Sequence, residues 1–229
     1  WLAVMALAAC AAAASFGALS THANTYMGTP HYLLLAWVSF PFIKGLHELG
    51  HALAVRHWGG EVHNMGVSLF VLTPAPFVDA SASAAFRARY QRAMVAAVGV
   101  MIELAIAAAA LAVWLNVQPG LTRDLAFVTM FIASVSTVLF NGNPLLTFDA
   151  YYVMCDALDL PNLAVRSKTY WTDLLQSLAF GVKSPSPVQP GAGEHKWLVA
   201  YAPLSLAYRF FVSAVIVLCQ RLLGRSASE

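Results

Sequence analysis

His47, Glu48 and His51 are the residues of this chain whose types and spacing most directly suggest chemistry. They lie in Phe42-Ile43-Lys44-Gly45-Leu46-His47-Glu48-Leu49-Gly50-His51-Ala52-Leu53-Ala54-Val55, an apolar run that contains H-E-x-x-H. Residues four apart share one face of a helix, so the two imidazoles can hold one metal ion. Glu48 is placed to act as general base toward water at that metal. Zinc would bring the pKa of such a water from about 15.7 to about 7, making hydroxide available at neutral pH. Ionisable groups at membrane depth are costly unless they are paired or used. The apolar flanks therefore set this pattern apart from a surface helix that happens to carry two histidines and a glutamate.

The composition places the site in a membrane. Of 229 residues, 59% are hydrophobic and only 10% charged, against about 25% charged in a soluble domain. The expectation is an all-α polytopic membrane protein of about five to six transmembrane helices, folded as a single domain over 1–229. A net charge of +2 gives no basis for nucleic-acid binding. Cys10, Cys155 and Cys219 lack metal-ligand spacing and read as free, buried thiols. Trp1 begins within an apolar run, so a piece of a longer protein is expected. The first segment lacks the basic start of a signal peptide.

Residues 1–20 have the length of a first span, followed by a polar loop at 21–30 in which His22 and His31 read as solvated. Residues 32–58 form a second span carrying the H-E-x-x-H, with Pro41 expected to kink it or open its ladder. Lys44 lies one turn ahead of His47 and either snorkels or faces a wet cavity. Gly59-Gly60 ends this helix. The β-forming stretch Gly66 to Thr73 is too short to span and predicts one or two membrane-edge strands or a hairpin, closed by Pro74-Ala75-Pro76. His57 and His63 flank it as interfacial residues. Asp79 or Ser81 predicts a helix N-cap.

Residues 94–117 form a third span, with Gly99 and Glu103 one turn apart. Glu103 reads either as a group lining the active-site cavity or as a neutral, hydrogen-bonded carboxyl. Residues 125–140 form a fourth span, broken by Asn141-Gly142-Asn143-Pro144. Broken helices at membrane depth are tolerated where they line a cavity or are buried in protein, and Asp149, just past the break, suits a third metal ligand. Residues 158–195 read as a polar surface segment, and 196–224 as a last helical segment interrupted by Pro203. Arg56, Arg87, Arg89 and Arg92, and again Arg166, Lys168, Lys183 and Lys196, mark 56–92 and 160–196 as cytoplasmic. Both metal-site motifs then lie toward that side.

His47-Glu48-Leu49-Gly50-His51, with Asn143-Pro144-Leu145-Leu146-Thr147-Phe148-Asp149-Ala150 two spans later, resembles the site-2 protease family of intramembrane zinc metalloproteases. Trp58-Gly59-Gly60-Glu61-Val62-His63 and Pro76-Phe77-Val78-Asp79-Ala80-Ser81 resemble its bacterial peptide zinc metalloprotease branch. The resemblance implies a three-helix catalytic core at about 32–157, one zinc held by His47, His51 and Asp149, and Glu48 as general base. It also implies Asn143 as a substrate or oxyanion contact, a membrane-embedded or membrane-associated protein or peptide as substrate, and a bacterial inner membrane as location. Ala150 stands where the family usually has Gly, and Gly99-Val100 followed by Glu103 where relatives carry Gly-Pro followed by Asn.

The strand directly follows the metal-bearing helix. Its exposed edge at Gly66, Val67, Ser68 and Leu69 can pair with an extended substrate by strand addition, with Asn143 on the other side. Two other classes compete. A di-iron oxidase needs clustered histidine boxes, which seven scattered histidines do not form. A proteolytically silent metal-binding protein or metal transporter on the same fold leaves Glu48 without a use.

Overall fold

In the computed structural model, residues 1–70, 72–181, 191 and 193–226 are described, apart from the side chains of residue 70 and residues 219–226. Val71, Lys183 and most of the polar run 185–193 lie outside that set. The chain divides into two compact units, Trp1–Asn143 and Pro144–Glu229.

The first unit is built on three helices, α3 (Pro30–His57), α4 (Arg89–Asn116) and α5 (Leu121–Ser136). Apolar side chains on facing stripes bury Ile43, Ala107 and Ala133 together, and at one end Tyr32, Trp114, Ala126, Phe127 and Val128. α3 runs through Pro41 without a break in its assignment. α5 continues into a π-turn, Thr137–Asn141. Ahead of these, the expected single first span is two helices, α1 (Leu2–Ala14) and α2 (Phe16–Tyr26), bent by 70° at Ser15. The polar loop expected from 21 is helical to Tyr26, because Thr21 and Thr25 donate their hydroxyls to carbonyls four residues back and so sit in a helix without exposing their polarity. His22 is correspondingly not solvated: its Nε2 is 2.7 Å from the Tyr32 hydroxyl, which donates to Asp124. Its ring packs on Phe127. His31 is half exposed, with Nε2 3.5 Å from Asp124 Oδ2.

Gly59, at φ +79°, turns the chain out of α3. A hairpin follows, β1 (Met65–Phe70) paired antiparallel with β2 (Thr73–Val78). Of the readings for 66–73, one or two strands or a hairpin, the hairpin is the one the structure holds, but Pro74 and Pro76 lie inside β2 instead of closing the stretch. Register explains how two prolines fit. Asp79 N–H donates to Asn64 O across the ladder, so Thr73, Ala75 and Phe77 direct their backbone groups toward β1. Pro74, Pro76 and Val78 alternate with these and face away, where a missing N–H costs no ladder bond. Past the hairpin, Ser81–Ala85 is a 3₁₀ turn with Ser81 N–H donating to the Asp79 carboxylate. The expected helix starts later, at Arg89.

The second unit holds α6 (Asp149–Leu158), α7 (Leu163–Phe180) and α8 (His195–Ser226), around Tyr151, Cys155, Leu160, Leu163, Leu198 and Tyr201. Cys155 is buried as expected, but Cys10 is exposed on α1, and the Cys219 side chain lies outside the described residues. α8 continues through Pro203, and α7 supplies what the proline removes. Pro203 has no N–H for the carbonyl of Val199; Trp171 Nε1–H donates to it at 3.0 Å. The buried Ser167 hydroxyl donates to Leu198 O at 2.6 Å and accepts from Ala202 N–H at 3.0 Å, bridging a ladder position. Arg166 grips Glu194 with two bonds of 2.8 and 2.7 Å, which holds that carboxyl down at about 2.

Among the described residues, three helices are long and apolar enough to cross a membrane: Arg89–Asn116, Leu121–Asn141 and His195–Leu218; the bent first pair makes up to four. α3 is not among them; Lys44, His47, Glu48, His51, Arg56 and His57 interrupt its apolar surface. Ser167→Ala is expected to lower stability by about 1–3 kcal/mol, the cost of a buried polar group left unpaired. Thermal unfolding in detergent measures it, and an unchanged midpoint would mean that α7 does not repair the α8 ladder.

Candidate metal centre

α3 and α4 run antiparallel, and a polar stripe on α3 faces a stripe of α4 that offers a backbone carbonyl, a bare glycine and a carboxylate. On α3 the stripe is Lys44, His47 and His51; on α4 it is Val95, Gly99 and Glu103, spaced four apart. His51 Nδ1 lies 2.7 Å from the Val95 carbonyl oxygen. His47 Nδ1 lies 3.0 Å from Glu103 Oε1. The Val95 carbonyl accepts from His51 Nδ1–H, which turns His51 Nε2 toward His47; the His47–Glu103 approach is close but falls outside hydrogen-bond geometry. The two Nε2 atoms face each other at 3.1 Å. At that distance one ring donates to the other, the donor being set by the tautomers, and the same two nitrogens lie close enough together to serve one metal ion. Both rings are buried.

Gly99 makes the arrangement possible. A Cβ there would lie 2.4 Å from Cε1 and 2.6 Å from Nε2 of His47, and 2.6 Å from Nε2 of His51. No side chain but hydrogen fits, and the bare helix surface lets His51 reach a carbonyl already inside the α4 ladder.

Glu103 has no exposed surface. Its Oε1 accepts from Lys44 Nζ at 2.5 Å, and Thr137 Oγ1–H donates to its Oε2. Asn141 Nδ2 is 3.4 Å from both oxygens. Lys44 also donates to Ser136 Oγ at 3.1 Å. Glu103 is buried and hydrogen-bonded, and the Lys44 ammonium beside it makes it one half of an ion pair and not the neutral carboxyl of one expectation. Lys44 turns inward to pair with it and does not snorkel. Thr137 and Asn141 were not singled out as site residues; they meet Glu103 because the π-turn winds wider than the helix before it, a feature frequent at functional positions. Asn141-Gly142 next to Asn-Pro was its only trace in the sequence.

Asp149 opens α6 as its first residue, where a carboxylate also suits the helix dipole. One ligand atom from each of His47, His51 and Asp149 lies within 4.8 Å of the others; the histidines are buried and Asp149 partly so. The cluster can hold a metal ion. Two neutral imidazoles and one carboxylate form a donor set seen at catalytic zinc sites, which use three protein ligands.

Glu48, next to His47, accepts a hydrogen bond from Val78 N–H at 3.1 Å through Oε2. This ties its carboxylate to the end of β2. Gly66, Val67, Ser68 and Leu69 all lie exposed on β1. Asn143 is half-buried just after the π-turn, its N–H donating to Phe140 O at 3.2 Å. His57 and His63 are both exposed, with His63 3.4 Å from Glu61.

Gly99→Ala is expected to push both imidazoles off their common point and weaken metal binding by at least about tenfold, the scale of a disturbed ligand shell. Metal analysis of the purified variant checks this; wild-type stoichiometry and affinity would mean that α4 does not set the ligand geometry.

Compared with known proteins, the chain matches no family model, no curated protein and no solved structure.

Proposed function

We propose that this protein is an intramembrane zinc metalloendopeptidase of the site-2 protease type, cutting a peptide bond in a membrane-embedded or membrane-associated protein or peptide. The observation that carries the reading is the convergence of His47, His51 and Asp149 ligand atoms within 4.8 Å, with a carboxylate next in sequence to the first of them. His47 and His51 would hold one zinc ion through Nε2 and Asp149 through a carboxylate oxygen. When bound, zinc supplies a Lewis acid that polarises a carbonyl and acidifies a ligated water.

The chain's own residues do the rest. Glu48 takes a proton from the attacking water and returns it to the amide nitrogen as the C–N bond breaks and the new C–O bond completes. The Val78 N–H keeps that carboxylate oriented. In this reading the site faces the cytoplasmic side of a bacterial inner membrane, an orientation that the Lys/Arg distribution supports, with the bilayer as its surroundings.

Substrate would be held extended, since a helical peptide hides its scissile carbonyls. The hairpin has two unlike edges. On β2 the outward positions are Pro74 and Pro76, without N–H, and Val78, whose N–H is given to Glu48. On β1 the outward positions are their partners Met65, Val67 and Leu69. The donors left for strand addition are therefore on the β1 edge, with Gly66 and Ser68 completing the hairpin; substrate taken up there would reach Glu48 past the end of β2, with Asn143 as a further backbone contact.

Glu48→Gln should retain zinc and lose cleavage by at least about 100-fold, the lower range for a lost general base. Asp149→Ala should lose most of the zinc. Zinc analysis and mass-spectrometric mapping of membrane peptides in cells carrying either form supply the readout. Zinc retained with no cleavage products from the wild type would favour the silent metal-binding or transporter reading instead.

Val67→Pro and Leu69→Pro remove outward donors and should reduce the same products several-fold with zinc content intact. Ser68→Pro removes a donor facing β2 and should damage the hairpin itself. Wild-type cleavage by both folded outward variants would remove β1 as the dock.

A further inference from the structure

We propose that Glu103 is the positioning residue for His47, and that the Lys44–Glu103 pair exists to hold that imidazole in its metal-ready tautomer. The proposal rests on the metal reading above and deepens it. The two histidines are oriented by different means. His51 gives its Nδ1–H to a backbone carbonyl, Val95 O, which no substitution removes. His47 Nδ1 instead lies 3.0 Å from a side chain, Glu103 Oε1, an ion-pair distance outside hydrogen-bond angles that a small ring rotation brings into line. A carboxylate behind a ligand histidine fixes ring and tautomer and raises the donor strength of the far nitrogen.

A carboxylate buried in an apolar helix needs compensation, and every neighbour supplies a donor. Lys44 is 2.5 Å away and contributes the countercharge. Thr137 takes the far oxygen, and Asn141 reaches both. With Oε2 held by Thr137 and Oε1 drawn by Lys44, the carboxylate cannot rotate away from His47. Glu103 also lies one turn from Gly99 on α4, so one helical stripe both makes room for the Nε2 atoms and anchors one ring from behind. A purely structural ion pair would need Lys44 and Glu103 but not the imidazole between them and the metal.

The test is metal affinity of the full chain in detergent, measured with zinc against a chelator and with cobalt(II) through its visible absorption. Glu103→Gln should weaken zinc by about tenfold and alter the cobalt spectrum, since a neutral acceptor replaces a charged one. The double variant Lys44→Met with Glu103→Leu removes both charges together and avoids a lone buried ammonium; it should weaken zinc by about 100-fold, the upper range for lost outer partners. Thr137→Val loosens the same carboxylate but leaves the His47 contact, and should stay within about threefold. His47→Ala is the reference. Zinc lost in His47→Ala, with wild-type affinity and spectrum in both Glu103 variants, would overturn the positioning role and leave the metal site standing. Zinc retained in His47→Ala would overturn the metal reading itself.

Discussion

A carboxylate with no exposed surface sits in an apolar helix at Glu103, and much of the first unit is arranged to satisfy it. Lys44 turns inward from α3, α5 widens into a π-turn that brings Thr137 and Asn141 to it, and His47 stands against it. Breaking a buried pair by removing one partner typically costs about 3–5 kcal/mol, because the charge left behind is uncompensated. The same arrangement sets the side of His47 that lies away from His51 against a carboxylate. Three of the polar residues that interrupt the apolar surface of α3, Lys44, His47 and His51, thus give the helix a reason to be buried against α4.

The close approach of the two helices follows from small residues. Gly50 on α3 meets Ile102, and Gly99 on α4 meets both imidazoles, at distances no Cβ tolerates. Helices can come this near where side chains vanish, and only then can a histidine reach a carbonyl that already serves the helix. The hairpin obeys a parallel logic. Prolines and the Glu48 contact close the β2 edge, which leaves one edge with backbone donors to offer. An unguarded strand edge invites pairing with other chains; here the two edges differ in sequence, which directs that pairing to β1.

The ligand-bearing helix, the break before Asp149 and a hairpin near 66–73 were legible because they depend on local chemistry: spacing of four, Asn-Pro, and a short run of β-formers. What was not legible depended on neighbours distant in sequence. Lys44 could equally well have snorkelled until Glu103 was placed beside it. Pro74 and Pro76 looked like a stop signal because proline usually ends strands; the ladder register makes them compatible. His22 looked solvated among polar residues, yet Tyr32 and Asp124 bury it, and their pairing spans 92 positions. The break at Ser15 left no strong signal, since serine is tolerated within helices. The continuity of α8 through Pro203 was hidden because its repair comes from Ser167 and Trp171 on α7.

The central claim is that two imidazoles and one carboxylate of this chain hold a single zinc ion. X-ray absorption at the zinc edge of the metal-loaded protein tests it most directly. The account predicts a first shell of nitrogen and oxygen only, at about 2.0–2.2 Å, with outer-shell scattering from two imidazoles, reduced to one in His51→Ala. Sulfur in the first shell, or imidazole scattering unchanged in that variant, would contradict it.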